Sequence, residues 1–267
     1  MTSNAPLPFD IKLMNRVATA LFALLVLMLL GAGLAYVQQL PQFAIRGVTV
    51  VGDVSHYNAI SLRANVMPRL KGTFFTLDLQ ATRQVFEAMP WVRQAVVRRD
   101  FPNRLKVQLE EHQPVAYWGA EGDSRLVNSF GEVFDVNLGE LEQDDLPRLN
   151  GPEGQSAKVL ATYHTLQPLL TPMDMALTQL ELTPRGGWRA QLEAGTTLEL
   201  GSGSTAELVA RTERFLKTVT QATAHYNRSV EQLASVDLRH TDGYAIRLNG
   251  VSTVEADNVK KLMQVNR

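Results

Sequence analysis

Residues Pro90 to Trp118 read PWVRQAVVRRDFPNRLKVQLEEHQPVAYW, and the order of side chains in this stretch sets the architecture of the first folded region. Pro90 stops the helix before it, because it has no amide hydrogen and its ring clashes with the preceding turn. Trp91, Val92, Ala95 and Val97 then supply apolar groups ahead of Arg98, Arg99 and Asp100. Phe101-Pro102-Asn103 has the composition of a turn between strands. Beyond it Leu105, Val107 and Leu109 alternate with Lys106, Gln108 and Glu110, the period of two that buries one face of a strand and wets the other. The stretch predicts a helix exit followed by a β-hairpin.

Working toward the N-terminus, Asp78 is placed to cap a helix whose Leu79, Thr82, Val85, Phe86 and Met89 form one face. Asn58 is placed to cap a shorter one carrying Ile60, Ala64 and Met67, with Pro68 and Gly72 near its end. The connector Thr73 to Leu77 is more apolar than a loop requires, so its aromatics are expected in the core. Phe43 to Gly52 is β-branched and punctuated by Gly47 and Gly52, as a strand ending in a turn would be. Residues 43–112 therefore predict strand, helix, helix, strand, strand.

Further upstream, Val17 to Val37 (VATALFALLVLMLLGAGLAYV) contains no charged residue. About 20 such residues in a helix span roughly 30 Å, the hydrocarbon thickness of a bilayer. Lys12 and Arg16 precede the run and no charge follows it until Arg46; the positive-inside rule then puts residues 1–16 in the cytoplasm and the rest outside it. A cleaved signal peptide is the alternative, with Gly33 and Ala35 as the small pair. Signal cores run about 7 to 15 residues, shorter than this run. Gly31 and Ala35 also have small-xxx-small spacing, a weak sign of a helix partner.

Composition narrows the function classes. The 267 residues are 45% hydrophobic and 20% charged, with a formal net charge of -1 and no cysteine. That balance suits folded domains and gives no basic footprint for nucleic acid. Without cysteine there is no disulfide framework, thiol nucleophile or cysteine-ligated metal.

From Gln113 onward short strand-like runs alternate with turns. Leu126-Val127 and Val133-Phe134 flank Asn128-Ser129-Phe130-Gly131 as a hairpin, and Leu146 to Gly154 reads as a Pro/Gly-rich loop. A helix is expected over 158–170, with either Leu160, His164 and Gln167 or Leu160, Tyr163 and Leu166 on its faces. Trp188, Ala190 and Leu192 pair across an Ala194-Gly195 turn with Leu198 and Leu200. Gly201-Ser202-Gly203 lacks the Lys-Ser/Thr ending of a phosphate loop, whereas Ser204 and Glu207 have capping-box spacing. The helix they start is expected to reach Asn227, with Leu208, Phe215, Leu216, Val219 and Ala222 inward and Arg211, Arg214 and Lys217 exposed. Val236 to Arg239 and Tyr244 to Leu248 make a third hairpin around His240 to Gly243. The tail, residues 251–267, is polar.

The Gly52 turn, the Pro90-Trp91-Val92 helix exit, the Arg98 to Pro102 hairpin and the Pro114-Val115-Ala116 exit stand in this order behind one apolar segment. Together they resemble the POTRA domain of the FtsQ/DivIB family of bacterial cell-division proteins, and the resemblance continues to Val236-Asp237-Leu238-Arg239. The fold expected is α+β: one N-terminal transmembrane helix at 17–37, a POTRA domain (β-α-α-β-β) at 43–112, a mainly antiparallel β domain with flanking helices at 113–250, and the tail. The resemblance implies a single-pass inner-membrane division scaffold at the septum, with its bulk periplasmic. It implies FtsB and FtsL as partners of the last β-domain strands, FtsK as a partner of the POTRA domain, and a part in controlling septal peptidoglycan synthesis. By position, Arg239, His240, Asp242, Gly243, Ala245 and Leu248 fall on the docking edge. The family often has Tyr where His240 stands and Trp where Leu248 stands, which leaves Tyr244 as an aromatic contact.

The residues alone point the same way, since a partner strand can add to an exposed sheet edge. Arg239 and Arg247 read equally as edge protection or as contacts to an acidic partner, and Arg211 and Arg214 on the preceding helix are candidates beside them. An enzyme finds little footing. His56, His112, His164, His225 and His240 have no metal-ligand spacing, there is no G-x-S-x-G elbow, and Glu110 and Glu111 point to opposite faces of a strand. No cofactor is expected. A secreted enzyme released by signal cleavage is the alternative of another class. A POTRA module of an outer-membrane translocation system would need a barrel that this length does not accommodate.

Overall fold

The computed structural model describes residues 9–52, 55–56, 62, 64, 66–137, 139 and 145–251. The chain divides into two units, 1–111 and 112–267.

In the first unit, helix α1 (Phe9–Gln38) carries the apolar run. Among the described residues it is the one helix long and apolar enough to cross a membrane, and none of that span is buried by the rest of the protein. A short 3-10 turn at Pro41–Phe43 leads to strand β1 (Gly47–Val51). Gly52 follows with φ +136°, and a Cβ there would stand 2.1 Å from the Leu109 carbonyl oxygen, so only glycine lets the chain leave the sheet at this point. Helix α2 (Leu79–Glu87) starts on Asp78, whose carboxylate accepts from the amides of Gln80 and Ala81. Strands β2 (Val92–Asp100) and β3 (Arg104–Glu111) form the antiparallel hairpin, and β1 pairs parallel to β3, giving the order β1-β3-β2. Leu105, Val107 and Leu109 bury completely or nearly so against Phe86, Val92 and Ala95. The alternation read from the sequence is the core face of this sheet.

Two expectations in this unit need correction. Asn58 and Ile60 lie outside the described residues. Of that helix Leu62, Ala64 and Val66 are helical, and Leu62 and Val66 face the core while Ala64 is exposed and Met67 half-buried. The i, i+4 pair that packs is shifted by two residues from the expected face, because Leu and Val bury more apolar area than Ala. The connector aromatics also divide: Phe74 is buried, but Phe75 is 43% exposed.

The second unit is one nine-stranded sheet, in the order β12-β11-β10-β9-β8-β7-β4-β5-β6. Its strands are β4 (Pro114–Trp118), β5 (Arg125–Asn128), β6 (Val133–Asp135), β7 (Arg148–Asn150), β8 (Leu177–Leu182), β9 (Gly187–Leu192), β10 (Thr197–Ser202), β11 (Leu233–Asp237) and β12 (Ala245–Leu248). Neighbours run mainly antiparallel, with parallel pairing at β4–β7, β7–β8 and β10–β11. The β5–β6 hairpin is shaped by the buried Asn128, whose side-chain oxygen accepts from the amides of Phe130 and Glu132.

Helices α3 (Ser156–Leu170) and α4 (Thr205–Ala224) contribute to the core that covers this sheet. On α3 the face with Leu160, Tyr163 and Leu166 turns inward and His164 is exposed. Ser204 and Glu207 make the reciprocal capping box of α4. That helix stops at Ala224, short of Asn227, which adopts φ +54°. Leu208, Phe215 and Val219 are fully buried, with Leu216 and Ala222 at the margin. Leu146 to Gly154 is not a plain loop. Arg148–Asn150 is a strand in the middle of the sheet with Leu149 fully buried, and β8 is a further strand that was not foreseen.

Candidate partner-binding edge

The hairpin β11–β12 closes one end of the nine-stranded sheet, so among the described residues β12 has a strand neighbour on one side only. It forms because Leu233, Val236 and Leu248 are apolar and bury to 1%, 1% and 6% exposure, whereas Ala245 and Arg247 stay exposed. The strand is pinned by Leu248 and the half-buried Ile246 and presents Ala245 and Arg247 to solvent. Leu248 lies on the edge strand as its position implied, but its side chain belongs to the core opposite Leu233 and is not offered to a partner. A buried leucine at this position follows from the inward direction of its Cβ.

The turn between the two strands is organised by charge. Arg239 donates to Asp237 from its own backbone amide, at 3.0 Å, and from Nε, at 2.9 Å. This guanidinium contact holds the Asp237 carboxyl down at about 2, because a hydrogen-bonded cation favours the ionised acid. Leu238 meanwhile donates its amide to the Glu199 carbonyl, continuing the pairing of β10 with β11. His240 and Asp242 are exposed, and Gly243 is half-buried.

Helix α4 supplies a second layer of contacts to the same region. Arg211 is half-buried and not the solvent-exposed group expected from the sequence. Its Nη1 donates to the carbonyls of Leu200 and Ser202, both at 2.8 Å. A Cβ at Gly201, where φ is +81°, would meet Arg211 and Arg239 at 3.1 Å each, so these two side chains converge on one backbone position. One turn on, Arg214 donates to the Thr241 carbonyl in the hairpin loop. Tyr244 is half-buried, its ring edge-on to Phe215 at 5.3 Å and its hydroxyl 2.8 Å from Thr218 Oγ1.

Arg211, Arg214, Arg239 and Tyr244 are thus joined through α4 and the hairpin loop, Ala245 and Arg247 lie along the edge strand, and Leu248 points away into the core. Sequence reasoning missed Thr218 and Gly201. Thr218 could have been found, since it follows Arg211 and Arg214 by seven and four residues, the spacing of one helical face. Among the described residues no three His, Asp or Glu side chains group as a metal ion would need.

Comparison with known proteins bears on the whole chain. Residues 43–112 match the FtsQ-type POTRA domain, and residues 116–239 match the C-terminal domain of the cell division protein FtsQ/DivIB. The cell division protein FtsQ of Thiomonas arsenitoxydans is 39% identical over 255 residues, covering 94% of this chain and 93% of that protein. The FtsQ of Burkholderia pseudomallei is 39% identical over 254 residues, covering 94% and 99%. That of Bordetella pertussis is 34% identical over 269 residues, covering 94% and 96%. With an apolar helix, a β-α-α-β-β unit and a β domain matched in order and over nearly its full length, the chain belongs to the FtsQ family of bacterial cell-division proteins.

Proposed function

We propose that this division protein is a non-enzymatic scaffold of the inner membrane, with residues 1–16 cytoplasmic, α1 spanning the bilayer and both folded units periplasmic at the septum. In this reading β12 takes up an extended segment of FtsB, in complex with FtsL, and the POTRA unit contributes to recruitment with FtsK as its partner. The assembled complex then bears on the control of septal peptidoglycan synthesis. The observation that carries the reading is the outer side of β12, which no other described strand pairs. Main-chain hydrogen bonds to an added strand would give affinity there, and Ala245, Arg247, Arg239, His240 and Asp242 would set register and choice of partner.

The test is binding of a fluorescent peptide from the periplasmic part of FtsB to the full chain in detergent, read by anisotropy. Arg247→Glu should weaken binding at least about tenfold, the cost of reversing one interfacial charge. A peptide N-methylated at alternate residues should lose binding, because it no longer donates to an edge. Equal binding by the methylated peptide would rule out strand addition, and an unaffected Arg247→Glu variant would move the interface off β12.

A further inference from the structure

The end of α1 does not run free into the first folded unit. The Thr73 hydroxyl donates to the Gln38 carbonyl at 2.6 Å, satisfying one of the carbonyls that the last helical turn leaves without a partner. Phe74 donates its amide to the Phe43 carbonyl at 2.7 Å, and Arg46 donates to the carbonyl of Asn103 at 3.0 Å in the β2–β3 turn. Arg99 locks the connector from the other side, giving hydrogen bonds to the carbonyls of Phe74 and Leu77 at 2.6 and 2.7 Å. Three separate segments are therefore held together beside the helix terminus.

Each brings an aromatic ring. Phe43 and Phe75 meet edge-to-face at 5.0 Å, Phe75 and Phe74 at 5.2 Å, and Phe74 and Phe101 at 6.0 Å. Phe74 is buried, but Phe75 is 43% and Phe101 75% exposed, and Tyr36, in the last turns of α1, is 71% exposed. A chain that hides Phe86 and Trp91 completely leaves these rings out, and their continuity with α1 indicates what covers them. The uncharged run to Val37 is matched to a hydrocarbon core of roughly 30 Å, which sets Gln38 at the boundary with the headgroups. Tyrosine and tryptophan are enriched at that level in membrane proteins, and phenylalanines on an interfacial face bury about 5 to 10 Å into the headgroup boundary. Arg46, Lys71 and Arg104, all exposed, lie within three residues of Phe43, Phe74 and Phe101 in the chain, as cations facing lipid phosphates would.

We propose that Phe75 and Phe101 insert into the lipid interface of the leaflet from which α1 emerges, so that the POTRA-type unit is seated on the bilayer surface through its aromatic corner. This rests on α1 spanning a membrane. The rigid clamp of Thr73 and Arg99 fixes how that unit meets the surface, through three loops in place of a swinging linker.

The chain has no cysteine, so single substitutions give unique labelling sites. Full-length Phe75→Cys, Phe101→Cys, Leu27→Cys and Gln94→Cys proteins would carry a nitroxide, in nanodiscs of phosphatidylcholine and phosphatidylglycerol. Collision with oxygen and with a water-soluble nickel chelate would be read by electron paramagnetic resonance. Labels at 75 and 101 should collide more with oxygen than with nickel, as the label at 27 does, while the label at 94 on β2 favours nickel. Nickel-favoured labels at 75 and 101 beside an oxygen-favoured label at 27 would overturn the seating and leave the span intact. A nickel-favoured label at 27 would overturn the span itself. Labels at 75 and 101 shielded from both agents would show a protein covering the rings, a second copy or another partner, and would also overturn the proposal.

Discussion

The hydroxyl of Tyr244 lies 2.8 Å from Thr218 Oγ1, so the aromatic side chain that leads into the edge strand is fastened to the helix behind it. Tyr244 therefore acts on the edge through its position. Its ring packs on Phe215, and only part of its surface remains for a partner. Tyr244→Phe should keep the ring contact and lose the hydrogen bond, at a cost of about 1 kcal/mol, with partner affinity little changed. Tyr244→Ala should cost more stability and loosen the hairpin loop. Urea denaturation alongside peptide binding separates the two effects, and equal stability of all three proteins would show that the hydrogen bond carries no weight.

Asp237 and Arg239 give the region a defined response to acid. The carboxyl titrates at about 2 when folded, against 3.8 for the unperturbed group. The bond to Arg239 therefore stabilises the fold fully above the unperturbed value and is lost as the pH falls from there through about 2. Asp237→Asn should be less stable than the parent near neutrality, with the gap closing in that acid window. Thermal melts at stepped pH check this, and a gap that stays constant to pH 2 would mean that the carboxylate charge is not what Arg239 recognises. Arg239 is mostly exposed, so solvent and salt reduce the size of the gap.

At Gly52 the constraint is steric. A side chain there must adopt φ +136° and approach the Leu109 carbonyl to 2.1 Å, so Gly52→Ala forces β1 and β3 apart. The expected loss is several kcal/mol, in the range reserved for strain and disrupted packing. By contrast, Gly122→Ala, where no atom lies within 4 Å, meets only the strain of φ +92° and should cost less. Similar melting temperatures for the two variants would refute the steric account.

The strands that alternate strictly were legible in the sequence, because their pattern and their burial have the same cause: Leu105, Val107 and Leu109, or Trp188, Ala190 and Leu192, each face one core. Caps were legible for the same reason, since Asp78 and the Ser204–Glu207 pair act within their own turn. What escaped is what neighbours decide. Leu149 is one apolar residue between Arg148 and Asn150, and it becomes a central strand only because β4 and β8 flank it in parallel. The burial of Leu62 and Val66 over Ala64 depends on partners distant in sequence, and the capture of Arg211 on the way α4 folds back over the end of β10. At the candidate edge the residues could be placed by position, but the inward direction of Leu248 and the tether on Tyr244 needed three dimensions.

Strand β12 follows every other described strand in chain order, yet its Leu248 fills part of the core on which Leu233 and Val236 depend. The sheet cannot be completed until the ribosome has delivered that segment. A product cut short before Ala245 would leave an apolar gap and β11 as a raw border, so damaged copies should be cleared by proteolysis. Four residues, Ala245 to Leu248, would then decide whether the whole sheet survives its own synthesis.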